Sequence, residues 1–267
     1  MTLETSVPDG PIASTQGQDA ASDPREAIRR TVRARLRGIG RPDSRFVYDF
    51  SNFIADYPGS ERIPETLRSL PFWKGSGPVF ITPDNCLESL RSELVGERRP
   101  LLQTIAVAMG FHYFAPGSVQ PGLERFAGTL DGAMILAQQV DLDFVRNLGP
   151  LDFVVTGACA VNRSGIRFGK GHGFFDMEWG ILRELGAVSD ETPVIACVHD
   201  CQVVDTEFPV SEHDTIVDWI VTPTETIEVT ERLRKPAGIH WDRVTPALME
   251  EIAPLGELKR AHDSSAS

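Results

Sequence analysis

Ten residues carry the densest chemistry in this 267-residue chain: Arg167-Phe-Gly-Lys-Gly-His-Gly-Phe-Phe-Asp176. Gly169, Gly171 and Gly173 alternate, so the backbone can turn tightly and a ligand can approach bare N–H groups. Arg167 and Lys170 add cationic donors suited to phosphate. Asp176 closes the run with a hard oxygen ligand of the kind magnesium takes. The apolar stretch before it, Leu151-Asp-Phe-Val-Val-Thr-Gly-Ala-Cys-Ala-Val161, reads as a buried strand. After it, Met177, Ile181, Leu185 and Val188 fall on one helical face. Strand, glycine loop and helix N-terminus make an anion site, because the helix's free N–H groups and positive dipole end favour negative charge. The reading is a nucleotide triphosphate loop of neither common kind. It lacks the Lys-Ser/Thr ending of a P-loop, and its glycine spacing does not fit the dinucleotide fingerprint. Glycine-rich turns of this kind also serve packing alone; the Arg, Lys and Asp are what favour phosphate.

The same run, read as Arg-x-Gly-(Arg/Lys)-Gly-x-Gly-(Tyr/Phe)-(Tyr/Phe)-Asp, resembles the signature of the 5-formyltetrahydrofolate cyclo-ligase family, also called 5,10-methenyltetrahydrofolate synthetases. Two further blocks agree. Val194-Ile-Ala-Cys-Val-His-Asp-Cys-Gln-Val-Val-Asp205 is followed by Phe208-Pro-Val-Ser-Glu-His-Asp214 and Val217-Asp-Trp-Ile-Val-Thr222. These are similar to the family's strand, its Gln, its Pro-x-x-Glu-x-Asp segment and its final strand. Arg25-Glu-Ala-Ile-Arg29 sits where the family carries Lys-x-x-Leu-Arg at the start of its first helix. The resemblance is dense from residue 150 to 225 and sparse before that.

Residue by residue, the resemblance implies an ATP loop made of Arg167, Phe168, Gly169, Lys170, Gly171, His172, Gly173, Phe174 and Phe175, part of which also lines the folate site. It implies that Asp176 and Asp214 hold Mg²⁺, and that Arg25 and Arg29 lie near the phosphates and substrate. Arg167 and Lys170 would serve the transferring phosphoryl group. The implied reaction is ATP-dependent. The formyl oxygen of 5-formyltetrahydrofolate attacks the γ-phosphate, N10 closes on the activated carbon, and phosphate departs to give 5,10-methenyltetrahydrofolate. Catalysis of that kind is positioning and charge neutralisation, and needs no side-chain nucleophile.

The chain also departs from the family pattern. Arg25 stands for Lys, a planar fork for a compact ammonium. Phe174-Phe175 stands for Tyr-Tyr, so two hydroxyls are missing. The family's short acidic motif, which helps hold the folate, has no clear match. The blocks Phe53-Ile-Ala-Asp-Tyr-Pro-Gly-Ser, Leu67-Arg-Ser-Leu-Pro-Phe-Trp73 and Ile81-Thr-Pro-Asp-Asn look more like the divergent, cyclo-ligase-like branch. Two other functions therefore stay open: a non-catalytic nucleotide- or folate-binding paralogue with a regulatory or thiamine-related role, and an ATP-dependent enzyme on another pterin or small molecule.

Alternating apolar runs and helical patterns predict an α/β fold, a mainly parallel sheet with helices on both faces. The resemblance implies the NagB/RpiA/CoA-transferase-like version of it. Strands are expected at Val79–Thr82, Thr104–Met109, Phe153–Thr156, Val194–Val198 and Ile220–Thr222. Ligands in such sheets bind beyond the strands' C-terminal ends, where the glycine loop lies. Asp23-Pro24 opens a helix with Ile28, Val32, Leu36 and Ile39 on its apolar face; most of its arginines are expected to be solvated, Arg25 and Arg29 excepted. Residues 1–23, rich in Ser, Thr, Ala, Gly, Pro and Gln, are expected to be disordered, 24–255 to form one domain, and 256–267 to be a flexible tail.

Composition fits a soluble enzyme. The net charge of −12 argues against a nucleic-acid binder, and a 41% hydrophobic content is enough for a sizeable core. No apolar run approaches membrane-spanning length and no signal peptide is evident, so no membrane partner is expected and the compartment is expected to be cytoplasmic. Four cysteines without close pairing agree with reducing surroundings. His199, Cys201 and His213 do not fit a common zinc spacing. The expected partner is a small molecule, a reduced folate, bound by a monomer or homodimer.

Overall fold

The structure is a computed structural model and describes residues 24–106, 109–207, 210–231 and 233–265. The expectations for residues 1–23 and for Phe208 and Pro209 lie outside them.

Five strands form the parallel centre of the main sheet: β1 (Val79–Ile81), β2 (Leu101–Thr104), β5 (Val154–Thr156), β8 (Val194–Cys197) and β10 (Trp219–Val221). Antiparallel strands extend it, β3 (Phe111–Phe114) and β4 (Gln138–Val140) at one edge, β11 (Thr226–Glu228) at the other. The order is β11-β10-β8-β5-β1-β2-β3-β4. From β1 the chain moves to β2 on one side, then returns to β5 on the other. The crossover direction thus reverses between β1 and β5, and the crevice beyond their C-terminal ends is where such sheets take ligands.

Alternate residues of each strand enter different cores, because successive side chains point to opposite faces. Val79 and Ile81 pack with Phe153, Val155 and Ile195 against Ile63 and Leu67 of α2 (Ile63–Arg68) and Leu90 and Leu94 of α3 (Glu88–Gly96). Two short helices on that side, α4 (Glu124–Gly128) and α5 (Leu130–Leu136), contribute Ala127 and Ala133. Phe80, Val154 and Val194 face the other way, onto Val145 of α6 (Leu142–Leu148) and Trp179 and Leu182 of α7 (Phe174–Glu184). The sheet is therefore mixed, mostly parallel, and covered by helices on both faces.

Three sequence expectations need correction. The apolar run 151–161 is not one strand. It contains β5, a turn, and the start of a second sheet of β6 (Ala160–Asn162), β7 (Arg167–Phe168) and β9 (Val203–Val204), in the order β7-β6-β9. The turn is at Gly157, whose N–H donates to Asp84 Oδ2 at 2.8 Å; a Cβ there would come within 2.8 Å of Ile54. Arg167 and Phe168 consequently lie on a strand, and the loop proper begins at Gly169.

The strand expected at Thr104–Met109 instead ends at Thr104, having started directly after Pro100 in register with β1. Ile105 and Ala106 leave the sheet to line the crevice, and residues 107–108 lie outside the described residues.

The expected tail from 256 is helical: α9 (Ala253–Ser265) follows α8 (Pro246–Glu251). Ile252, Leu255 and Leu258 recur at helical spacing and are buried in the α7 core, which fixes the segment.

The first helix, α1 (Pro24–Leu36), buries Val32 and Leu36 against Ala160, Ile166, Phe168 and Val204. It therefore rests on the small sheet, beside the glycine loop. No helix among the described residues is long and apolar enough to cross a membrane.

Candidate active site

A cleft of about 370 Å³ opens at the switch point. Its walls come from the segments after β1 (Thr82–Asn85), β2 (Thr104–Ala106) and β5 (Thr156, Gly157), together with the glycine loop. Arg167, Gly169, Lys170, His172, Gly173, Phe174, Phe175 and Asp176 all line it. Phe168, Gly171, Arg25, Arg29 and Asp214 are not among the lining residues.

The loop delivers the chain to α7 through Gly173, which caps the helix in the left-handed region at φ 69°; Gly171 lies at φ 125°. Both conformations suit glycine and resist a Cβ. At its other end α7 closes with Gly186 at φ 72°, where Ala187 N–H donates to Leu182 and Gly186 N–H to Arg183. The eleven-residue helix, closed at its far end, presents to the cleft an N-terminus with no side-chain cap.

Arginines from α1 hold the loop from behind. Arg25, Arg29 and Arg33 recur every four residues, so they share one helical face. Arg29 Nε donates to the Gly169 carbonyl at 3.1 Å, and Arg33 Nη2 to the Lys170 carbonyl at 3.2 Å. Arg33 is therefore not merely solvated; the four-residue spacing was the signal for it. The Arg29 guanidinium also lies 5.1 Å from the centre of the Phe168 ring. Phe168, 3% exposed, supports the arginines and not a ligand. With its carbonyls engaged behind, the loop turns toward the cleft at Gly169 and Lys170. Lys170 Nζ donates to the Asn52 carbonyl at 3.2 Å, and the His172 ring stacks on Phe174. Burial, then Lys170, hold the His172 imidazole below its usual range.

Arg167 is 4% exposed and lies over the Phe175 ring at 4.5 Å. Its Nη1 is 3.6 Å from Asp176 Oδ1, too long for a hydrogen bond. Its Nε and Nη1 have no acceptor among the described residues. A buried cation with two unsatisfied donors, lining a cleft at a helix N-terminus, fits an anionic oxygen.

The two aspartates are coupled but differently held. Burial raises the Asp176 carboxyl, as does the charge of Asp214, against the pull of Arg167 and the Thr215 N–H, which donates at 2.9 Å. Burial also acts to raise Asp214, yet the Arg25 fork and the Ser211 N–H outweigh it and hold Asp214 below its usual range. Arg25 grips both oxygens, at 3.0 and 2.5 Å. Two carboxylates within each other's field suit a hard divalent cation, though Arg25 shares Asp214 in this arrangement.

Sequence reasoning missed the inner wall. Asp84 Oδ2 accepts from the Thr82 hydroxyl at 2.6 Å, and Glu178 Oε1 from the Thr104 hydroxyl at 2.5 Å. Burial pushes the Glu178 carboxyl up to about 8. A lone acid in the run Met177-Glu-Trp-Gly-Ile-Leu was the available signal. Of the expected Gln segment, Gln202 is buried and structural, donating to the Ala158 carbonyl at 2.6 Å.

A sequence profile of the 5-formyltetrahydrofolate cyclo-ligase family matches residues 22–223, and the chain belongs to that family. Within it, the chain is 36% identical over 251 residues to the human methenyltetrahydrofolate synthase domain-containing protein, covering 87% of this chain and 64% of that one. It is 36% identical over 78 residues to the 5-formyltetrahydrofolate cyclo-ligase of Mycolicibacterium smegmatis, 29% of this chain and 37% of that one. The NMR structure of Aquifex aeolicus 5,10-methenyltetrahydrofolate synthetase aligns with a TM-score of 0.46 at 18% identity, over 77% of this chain and 93% of that chain. The chain thus spans under two thirds of the human relative's length.

Proposed function

We propose that the protein binds ATP with its phosphates at the glycine loop and uses it to convert 5-formyltetrahydrofolate to 5,10-methenyltetrahydrofolate. The observation that carries this is Arg167: a buried guanidinium with two donors lacking an acceptor among the described residues, at the N-terminus of α7. Arg167 and Lys170 orient and neutralise the γ-phosphoryl group, and the loop amides from Gly169 to Gly173 cradle its neighbours. Arg29 and Arg33 fix the loop from behind. Asp176 and Asp214 would hold Mg²⁺, which when bound neutralises phosphate charge. The formyl oxygen must approach the γ-phosphate in line, and the apolar cleft walls exclude competing water. N10 then displaces phosphate from the activated carbon. Mixing the protein with Mg-ATP and 5-formyltetrahydrofolate tests this: near-ultraviolet absorbance of the methenyl product should appear, and should require ATP.

A second reading has its own support. The bidentate grip of Arg25 on Asp214, with Phe174 and Phe175 lacking hydroxyls, favours a paralogue that binds nucleotide and folate without turnover. It predicts binding of both ligands and no methenyl absorbance.

A further inference from the structure

The cleft lining carries charges of both signs. Arg167 and Lys170 line it. So do the ends of three adjacent parallel strands, at Thr82, Thr104 and Thr156. Two of these threonines hold carboxyl groups: Thr82 donates to Asp84 Oδ2, and Thr104 to Glu178 Oε1. Glu178 is only 4% exposed, yet it lines the cleft. Neither Asp84 Oδ1 nor Glu178 Oε2 receives a hydrogen bond from the described residues. Ile54, Ile105 and Phe174 add apolar wall to the same cleft.

Such a cleft suits ligands that bring anionic groups, a flat apolar body and N–H donors. Once ionised, the Glu178 carboxyl has lone pairs on both oxygens for a pair of adjacent N–H groups, and such donors favour the ionised form against the burial that pushes it up. The edge of a 2-amino-4-oxopyrimidine offers that pair, in the same forked geometry by which a guanidinium meets a carboxylate.

We propose that Glu178, positioned by Thr104, reads the 2-amino and N3–H edge of the substrate's pteridine ring. This rests on the reduced-folate reading above and adds the residue that sets its specificity. Asp84, beside it, closes the same wall and anchors Gly157. The ring lies against the strand ends while the phosphates of ATP lie at the N-terminus of α7. A second turn of the same helix thus selects the substrate.

Isothermal titration of the full chain tests it with Mg-ATP, 5-formyltetrahydrofolate, and the fragment pair pterin and lumazine, which carries oxygen in place of the 2-amino group. Wild type should bind 5-formyltetrahydrofolate and prefer pterin to lumazine. Glu178→Gln should weaken 5-formyltetrahydrofolate by about tenfold or more and erase that preference, while still binding Mg-ATP. Thr104→Val should shift both in the same direction, by less. If Glu178→Gln binds 5-formyltetrahydrofolate as wild type does, the proposal falls and the folate reading stands. If wild type binds no 5-formyltetrahydrofolate, the folate reading falls, and the pterin preference decides for Glu178: present in wild type and lost in the variant keeps it, absent in wild type overturns it. If Glu178→Gln loses Mg-ATP as well, Thr104→Val decides by the same preference.

Discussion

Arg25 grips Asp214 with both arms of its guanidinium, at 3.0 and 2.5 Å, across 189 residues of chain. The pair ties α1 to the segment before β10, and so closes the small sheet and the glycine loop against the main sheet. Arg25 is 15% exposed and Asp214 4%, so removing the cation leaves a buried carboxylate unpaired. Arg25→Ala should cost about 2 kcal/mol, below the ~3–5 of a fully buried pair because Arg25 touches water. Arg25→Lys keeps the charge and loses the fork, and should cost about 1 kcal/mol. Urea unfolding of both variants checks the order; equal stability to wild type would remove the tie.

The two aspartates should respond to neutralisation with opposite signs. Asp176 is a burdened acid, raised first by burial and then by Asp214, so Asp176→Asn should leave the ligand-free protein as stable or more so. Asp214 is a satisfied acid held low by Arg25, so Asp214→Asn should destabilise by about 1–2 kcal/mol. Both should weaken metal-dependent ATP binding. Thermal melts without nucleotide, then with Mg-ATP, separate the two effects; identical melts for the two variants would contradict their different environments.

Asp43 gives a pH dependence. Its carboxyl accepts from the Arg45 and Phe46 N–H groups at 2.7 and 3.1 Å and from Asn85 at 2.9 Å. Burial pushes it up, but these hydrogen bonds outweigh burial and hold it below 3.8. A folded value below the unfolded one means the stabilisation is present above that unfolded value and is lost as pH falls through the folded one. Asp43→Asn should therefore cost about 1 kcal/mol at pH 7, and the gap to wild type should close toward pH 3. A constant gap from pH 7 to 3 would show that ionisation is not the cause.

The C-terminal helix should matter to the fold. Leu255 is fully buried and packs in the core that includes Trp179 of α7. Leu255→Ala should cost about 2–4 kcal/mol by the cavity it leaves. Denaturant unfolding checks this, and a loss near zero would return residues 253–265 to the status of a tail.

Much of the site was legible because it is local. The glycines, Arg167, Lys170 and Asp176 sit within ten residues, and the apolar periodicity of α7 follows at once. The parallel strands at 79, 154, 194 and 220 announced themselves as short apolar runs. The rest depended on long-range contacts. The hairpin of β6 and β7 starts inside the apolar run 151–161, which masks its first strand, and it turns at Gly165 at φ 82°, where a Cβ would come within 2.5 Å of the Val217 carbonyl. Glu178 and Thr104 meet only because β2 ends under α7. The C-terminal helix was masked by a polar surface around Leu255 and Leu258, whose spacing carries the helical signal.

The central claim is that the N-terminus of α7 is a phosphate site built around Arg167. Its most direct test is calorimetric titration of Mg-ATP into wild type and Arg167→Gln. The account predicts saturable binding to wild type, about tenfold or more weaker in the variant, with the variant's ligand-free melt little changed. Equal affinity in the two proteins, or no Mg-ATP binding to folded wild type, would contradict it.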